Sequence, residues 1–219
     1  MNYGGGTHIL DKNPLLKLIW VFAIGALMGC IYETLLTLVS TGQFERRVSL
    51  VIGPFNVIYG IGAVTLYLVF LMFKNKPNPL TVFVVGAIVA TAVEYLLSWF
   101  QEIVFHTRSW DYSHLPLSIE GRVCLYAFLA WGVLSVLWVW VVEPLVSGAL
   151  RLIPDQFALA LTIALFAFLL VDAMLTVGAM LRWIERVKDV AKPSLIGDWF
   201  DQYFPNDRLK LLFGNMQFL

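Results

Sequence analysis

The stretch "PLTVFVVGAIVATAVEYLLSWFQEIVF", Pro79 to Phe105, decides the fold. Its first fifteen residues carry no charge. A bilayer hydrocarbon core about 30 Å thick takes about 20 mostly apolar residues as a helix, and this run is long enough. Backbone N–H and C=O groups in lipid have to bond within their own segment, so the run is read as a transmembrane helix. Working outward, four further segments read the same way: residues 15–39, 57–73, 123–146 and 156–182. The composition agrees. Hydrophobic residues make up 59% of the chain and charged residues 14%, against roughly 25% charge in soluble domains. Mean hydropathy is +0.78.

The fold class is therefore all-α: a polytopic integral membrane protein with five transmembrane helices. A polar N-terminal segment (1–14) precedes the membrane domain (15–182), and an arm (183–219) ends the chain. The first turns of the arm keep helical spacing through Trp183, Ile184, Val187 and Ala191 up to Pro193. The remainder mixes aromatics with single charges and is too polar to span. It is read as an interfacial arm with Trp199, Phe200, Tyr203 and Phe204 at headgroup depth.

Fifteen Lys and Arg balance fifteen Asp and Glu, so nothing in the charge points to nucleic acid. An odd number of spans puts the termini on opposite sides. Five cations (Lys12, Lys17, Lys74, Lys76, Arg151) fall on the N-terminal side and the other ten on the opposite side. The positive-inside rule then places the N-terminus outside and the C-terminus in the cytoplasm of a multi-pass cell-membrane protein. Cys30 and Cys124 lie in or beside apolar runs and are read as free thiols filling space.

Two of the runs match. "GALMGCIYETLL" (Gly25–Leu36) and "GAIVATAVEYLL" (Gly86–Leu97) share Gly-Ala, six residues, then Glu-x-Leu-Leu. Each is followed by a polar loop, a glycine (Gly53, Gly121) and a tyrosine shortly after (Tyr59, Tyr126). This predicts a parallel two-helix internal repeat, 15–73 and 79–146, followed by a fifth helix.

Glu33, Glu94, Glu102 and Asp172 stand within spans. A carboxylate at the bilayer centre costs roughly 2.5–3.5 kcal/mol even on the lenient scale. A cation, a wet cavity, a ligand or protonation has to offset that. All four fall in the membrane half nearest the loops that carry Arg46, Arg47, Arg108 and Arg122. The expectation is a polar cavity floored by Glu33 and Glu94 and capped by Trp110, Asp111, Tyr112 and Arg122, with Asn56 and Tyr59 entering from the second span. The competing expectation is an ion-paired plug that only fixes helix packing. In "VIGPFNVIYGIGA", Gly53-Pro54 breaks the helix, which is expected to restart at Pro54 with its N-terminus toward the cavity. Glu143, just before Pro144, is expected to reach the opposite interface. No His, Cys or carboxylate spacing makes a metal site, and no motif calls for a cofactor.

In combination these motifs resemble a known family. Arg46-Arg47 ahead of "GPFNVIYGIGA", Glu94 followed by "SWFQE", "WDYS" at 110–113 and "GRVCLYAFLAWG" at 121–132 are similar to the ABC-transporter type IV family, the CmpB-like membrane proteins. That family's loop reads Arg-Gly-x-x-x-Gly-Pro-x-x-Pro-Ile-Tyr-Gly-x-Gly. Here Val48 follows Arg47, and Asn56-Val57 replace the residues ahead of Ile-Tyr. The resemblance implies a permease. The chain has no Gly-x4-Gly-Lys-Ser/Thr loop, so a separate ATPase subunit would have to dock on its loops. Five spans are few for one pathway, so a homodimer or larger complex is expected.

Three functions are compatible with these residues. The first is a membrane transport protein, permease or channel-like, using Glu33, Glu94 and Arg122. The second is an intramembrane enzyme on a lipid or isoprenoid-phosphate headgroup, with arginines on the phosphate and Glu33, Glu94 or Asp111 as base. The third is a non-catalytic scaffold or accessory subunit.

Overall fold

The computed structural model describes residues 8–73, 78–214 and 216–219. Lys74 and Lys76, two of the cations counted above, lie outside the described residues. A short helix α1 (Ile9–Lys12) leads into α2 (Pro14–Thr41), followed by α3 (Val57–Met72), α4 (Pro79–Phe105), α5 (Leu125–Leu137), α6 (Glu143–Leu150), α7 (Asp155–Val187), α8 (Leu195–Tyr203) and α9 (Asn206–Leu212). A five-residue π-helical turn, Trp138–Val142, fuses α5 to α6. Thr107–Arg108 and Gln217–Phe218 form a two-residue antiparallel ladder.

Local chemistry explains the helix ends. Asn13 caps α2 through its side chain and Pro14 opens it, while Gly42, in the left-handed region, stops it. α4 repeats the pattern. Asn78 accepts from the Leu80 amide, Pro79 opens the helix, and His106 closes it with its amide on the Glu102 carbonyl.

Four stretches are long and apolar enough to cross a membrane: Pro14–Thr41, Pro79–Phe105, Leu125–Leu150 and Asp155–Val187. α3 has 16 residues, about 24 Å at 1.5 Å per residue. Before it, Val48, Leu50 and Val51 are buried, so apolar chain folds inward ahead of the helix. α3 begins at Val57, with Asn56 in the capping position, and not at Pro54 as expected. The turn at 49–55 uses the backbone groups of that interval: the Ser49 amide bonds to Phe55 O and the Asn56 amide to Ala26 O. α7, at 33 residues, is about 50 Å long and outruns a 30 Å core by several turns.

The spans pair as hairpins, α2 with α3 and α4 with α5, and the α3–α4 contact joins the pairs. Small residues allow the close approach. A Cβ on Gly25 would overlap Ala63 Cβ, and one on Gly86 would overlap Ser135 Oγ. Gly86→Ala is therefore expected to cost about 1–3 kcal/mol by overpacking. Ser135→Gly should return part of that loss. Thermal unfolding in detergent reads both, and an unshifted Gly86→Ala protein would refute this packing.

The helical end of the chain departs from expectation. α7 stops at Val187, short of Ala191, and Asp189 takes a left-handed backbone. Beyond it, α8 and α9 fold back on α7. Asp201 accepts from Arg182 Nη2 at 2.7 Å and is also bound by Arg186. These guanidiniums, Arg182 first, hold the Asp201 carboxyl below its usual range. Phe204 is buried in a cluster with Trp183, and the Phe200 ring fills the space beside Gly178. Of the four aromatics assigned to headgroup depth, Trp199 and Tyr203 are exposed, while Phe200 and Phe204 serve as packing.

Candidate functional site

Glu94 lies on α4 and is 8% exposed. Its partners are neutral donors. Trp131 Nε1 on α5 donates to Oε2 at 2.9 Å, and the Tyr112 hydroxyl donates to Oε1 at 3.2 Å. Beside it is a cavity of about 10 Å³ lined by Ile58, Gly62, Thr65, Ala90 and Trp131 among others. That is near the lower limit for one water.

Glu33 on α2 is half-buried and accepts from the Tyr59 hydroxyl of α3 at 2.5 Å. The Tyr32 ring stands 6.1 Å from that of Tyr59. Tyr112 brings the cap onto Glu94 and lies within electrostatic range of Glu33. Burial, then the Glu94 carboxylate, and more weakly Cys124 and Glu33, push its phenol well above the ordinary tyrosine range. It therefore stays a neutral donor at any physiological pH. Glu33 with Tyr59 on the first hairpin, and Glu94 with Tyr112 and Trp131 on the second hairpin and the cap, form two hydrogen-bonded polar groups.

The cap is the segment between α4 and α5. Trp110 Nε1 donates to Arg122 O at 2.9 Å, and the Tyr112 amide bonds to Gly121 O at 2.8 Å. Asp111 is exposed and accepts from the Ser113 amide at 2.8 Å and hydroxyl at 2.5 Å. Those bonds hold it below its usual pKa and make it a turn former. Gly121 needs to be glycine twice over: its φ is +70°, and a Cβ would overlap Asp111 Oδ1.

The arginines do not pair with the two deep acids as the sequence suggested. Arg122 is buried. Its Nη2 meets Glu102 at 2.8 Å and its Nε meets Glu120 at 3.1 Å, and it lies over the Tyr95 ring at 5.7 Å. Glu102 also takes Arg108 Nη2 at 3.0 Å. Hydrogen bonds from Tyr95 and Arg122 depress the Glu120 carboxyl. Arg47 Nη2 pairs with Glu45 at 3.0 Å and its Nε donates to Thr37 at 2.9 Å, while Arg46 is exposed. The reason is depth. The loop arginines reach in as far as Thr37 on α2 and Ser98 on α4, each one turn short of the acid on its helix.

Asp172 is separate. Fully buried on α7, it accepts from the Ile52 amide at 3.0 Å and the Gly53 amide at 2.7 Å, and Thr176 one turn on accepts from the Val51 amide at 3.0 Å. The exposed amides at the Gly53-Pro54 break are thus met by a carboxylate from the chain itself. Asn56 Oδ1 is buried without a partner among the described residues.

The sequence missed a second buried cluster, at the opposite end. Lys17 is 5% exposed and Glu143 is 9%. Lys17 Nζ meets Glu143 Oε1 at 2.7 Å and Ser147 Oγ at 2.6 Å, above the Tyr67 ring at 5.3 Å, with Asp11 at 3.9 Å. Glu143 was expected at the interface, and the π turn corrects that. Pro144 lacks an amide, and the Glu143 amide bonds back five residues to Trp138 O. One extra residue in the turn rotates α6 by about 100°, which swings Glu143 to the core.

Contacts repeat between the hairpins. A Cβ on Gly60 would strike Phe22 at 2.7 Å, and one on Gly132 would strike Phe83 at 2.6 Å. Glu33 takes its donor from Tyr59 and Glu94 from Trp131. Arg47 bonds Thr37, and Arg122 bonds Ser98. Phe22, Gly25, Glu33 and Thr37 thus correspond to Phe83, Gly86, Glu94 and Ser98, at the 61-residue offset of the sequence match. Trp131, rather than Tyr126, stands where Tyr59 stands.

An all-α, multi-pass membrane architecture with acids held inside the bundle is the class these observations define. The model of the family described as "Putative ABC-transporter type IV" matches residues 20–177, and the chain belongs to that family. No curated protein and no solved structure matches it. Its environment is the lipid bilayer.

Proposed function

We propose that the chain is a permease whose coupling group is Glu94, moving its substrate with the binding and release of a proton. The observation that carries this is Glu94 itself: a buried carboxylate held by two neutral donors, beside a water-sized cavity, with Arg122 committed elsewhere. Asp172, also buried, is met by two backbone amides of a fixed loop, whereas Glu94 has only side-chain donors and an adjoining cavity from which a proton can reach it. Glu33, under Tyr59, is the matching acid of the first hairpin. The matched contacts support a duplicated two-helix unit, 15–73 and 79–146, with residues 183–219 as an interfacial arm.

In this reading Glu33, Glu94, Tyr59 and Tyr112 belong to the pathway. Arg46, Arg47, Glu102, Trp110, Asp111 and Arg122 shape and cap its mouth. Asp172 and Asn56 set the loop before α3. The mouth faces the cytoplasm and the N-terminus lies outside. A homodimer completes the pathway, and a separate ATPase subunit docks at the mouth. Arg108 and Arg122 are already paired with carboxylates, which counts against the phosphate-binding enzyme.

The test is flux in liposomes holding a pH-sensitive dye. The purified protein should dissipate a pH gradient. Glu94→Gln should slow this at least about tenfold, equivalent to about 1.4 kcal/mol. Unchanged flux would remove Glu94 from the mechanism.

A further inference from the structure

We infer that Lys17, Glu143 and Ser147 form a latch that closes the pathway at the end opposite the Glu33–Glu94 group, and that the π turn is its hinge. This rests on the transport reading. The latch ties the first turn of α2 to the first two turns of α6 through Lys17 Nζ, which meets Glu143 at 2.7 Å and Ser147 at 2.6 Å. Ser147 Oγ in turn donates to Glu143 Oε1 at 2.5 Å. Between the latch and Glu94 lies α3, whose Thr65 lines the Glu94 cavity and whose Tyr67 ring underlies the Lys17 ammonium. Leu66, Trp138 and Val146 belong to one buried cluster packed with α3 at that end. Opening that end requires the Lys17–Glu143 pair to part.

Two observations make the turn a hinge. A π turn is one residue out of α-helical register, and such turns recur where helices shift. Here it also leaves Trp138 Nε1 buried without a partner among the described residues. The unmet indole donor adds to the interrupted backbone ladder in marking the turn as a place that is not fully bonded. Returning the turn to α-helical register would rotate Glu143 away from Lys17 by about 100°. Outside the pair, Asp11 and Arg151 bond at 2.8 Å, and the His8 ring lies 3.2 Å from Asp155. These groups form the surface layer of the same end.

The experiment labels a cysteine at Thr65→Cys, in a Cys30→Ala/Cys124→Ala background, with a membrane-impermeant maleimide added from the N-terminal side. Closed latches should leave it nearly unlabelled. Glu143→Gln keeps the shape and removes the charge, and should raise the labelling rate about tenfold by populating the open state. Lys17→Met/Glu143→Met should stay closed. If labelling of a folded Glu143→Gln protein, judged by gel filtration, matches the parent, the latch is wrong. Glu94→Gln flux is read separately, so failure of the latch and failure of the pathway are told apart.

Discussion

Glu143→Ala is expected to destabilise the bundle by about 3–5 kcal/mol, because it strands the Lys17 ammonium among apolar helices. The pair is among the most enclosed charges in the protein, with side chains 6% and 12% exposed. Its attraction offsets a large desolvation cost, and removing one member leaves only the cost. Replacing both, as in Lys17→Met/Glu143→Met, should recover most of the loss, since well-packed apolar residues often match or exceed a buried ion pair. Thermal or SDS unfolding in detergent separates the cases. A Glu143→Ala protein as stable as the parent would mean that Lys17 finds water or another acid, and that the cluster is not a tight pair.

Asp172→Ala is the second large effect. The carboxylate accepts two backbone amides at 3.0 and 2.7 Å, and bonds to a charged acceptor contribute about 1.5–3 kcal/mol each. A loss of about 2–4 kcal/mol is expected once the freed loop finds water for part of its unmet amides. Asp172→Asn keeps the shape and one acceptor, and should lose about half as much. Proteolysis should also differ: the 48–56 loop becomes cleavable in Asp172→Ala at enzyme levels that leave the parent intact. An uncut loop with an unchanged unfolding midpoint would show that Thr176 and packing suffice to hold it.

Much of the architecture was legible because lipid imposes a simple rule on backbone polar groups. The run Pro79–Phe105 is a helix with those same ends, since Asn78-Pro79 and His106 mark them in the sequence. The match of Glu33 with Glu94 is read from sequence, and the contacts of Phe22, Gly25 and Thr37 and those of Phe83, Gly86 and Ser98 follow the same 61-residue offset. Rotational phase was not legible. Glu143 was misplaced because a π turn cannot be counted from composition, although Pro144 is a signal that the ladder is interrupted there. Asp172 was grouped with the glutamates because depth was read and direction was not. On α7 it faces the loop at 51–53, whose amides are exposed by the Gly53-Pro54 break. The sequence places the arginines over the acids, but Arg47 and Arg122 reach only Thr37 and Ser98, one turn short of Glu33 and Glu94. The sequence counts Lys17 among the cations of the N-terminal side because it stands at the start of the first span, where a lysine normally snorkels to the surface. Here it turns inward to Glu143.

In the proposed pathway Glu33 and Glu94 serve one hollow between the hairpins, bridged by Tyr59 and Tyr112. A double-mutant cycle on liposome flux tests that most directly, with Glu33→Gln, Glu94→Gln and the double variant measured beside the parent. Groups in one network couple by more than about 0.5 kcal/mol, whereas independent sites add. A shared hollow predicts that the double variant loses little more than Glu94→Gln alone. Losses that multiply would place the two acids in separate routes and contradict it.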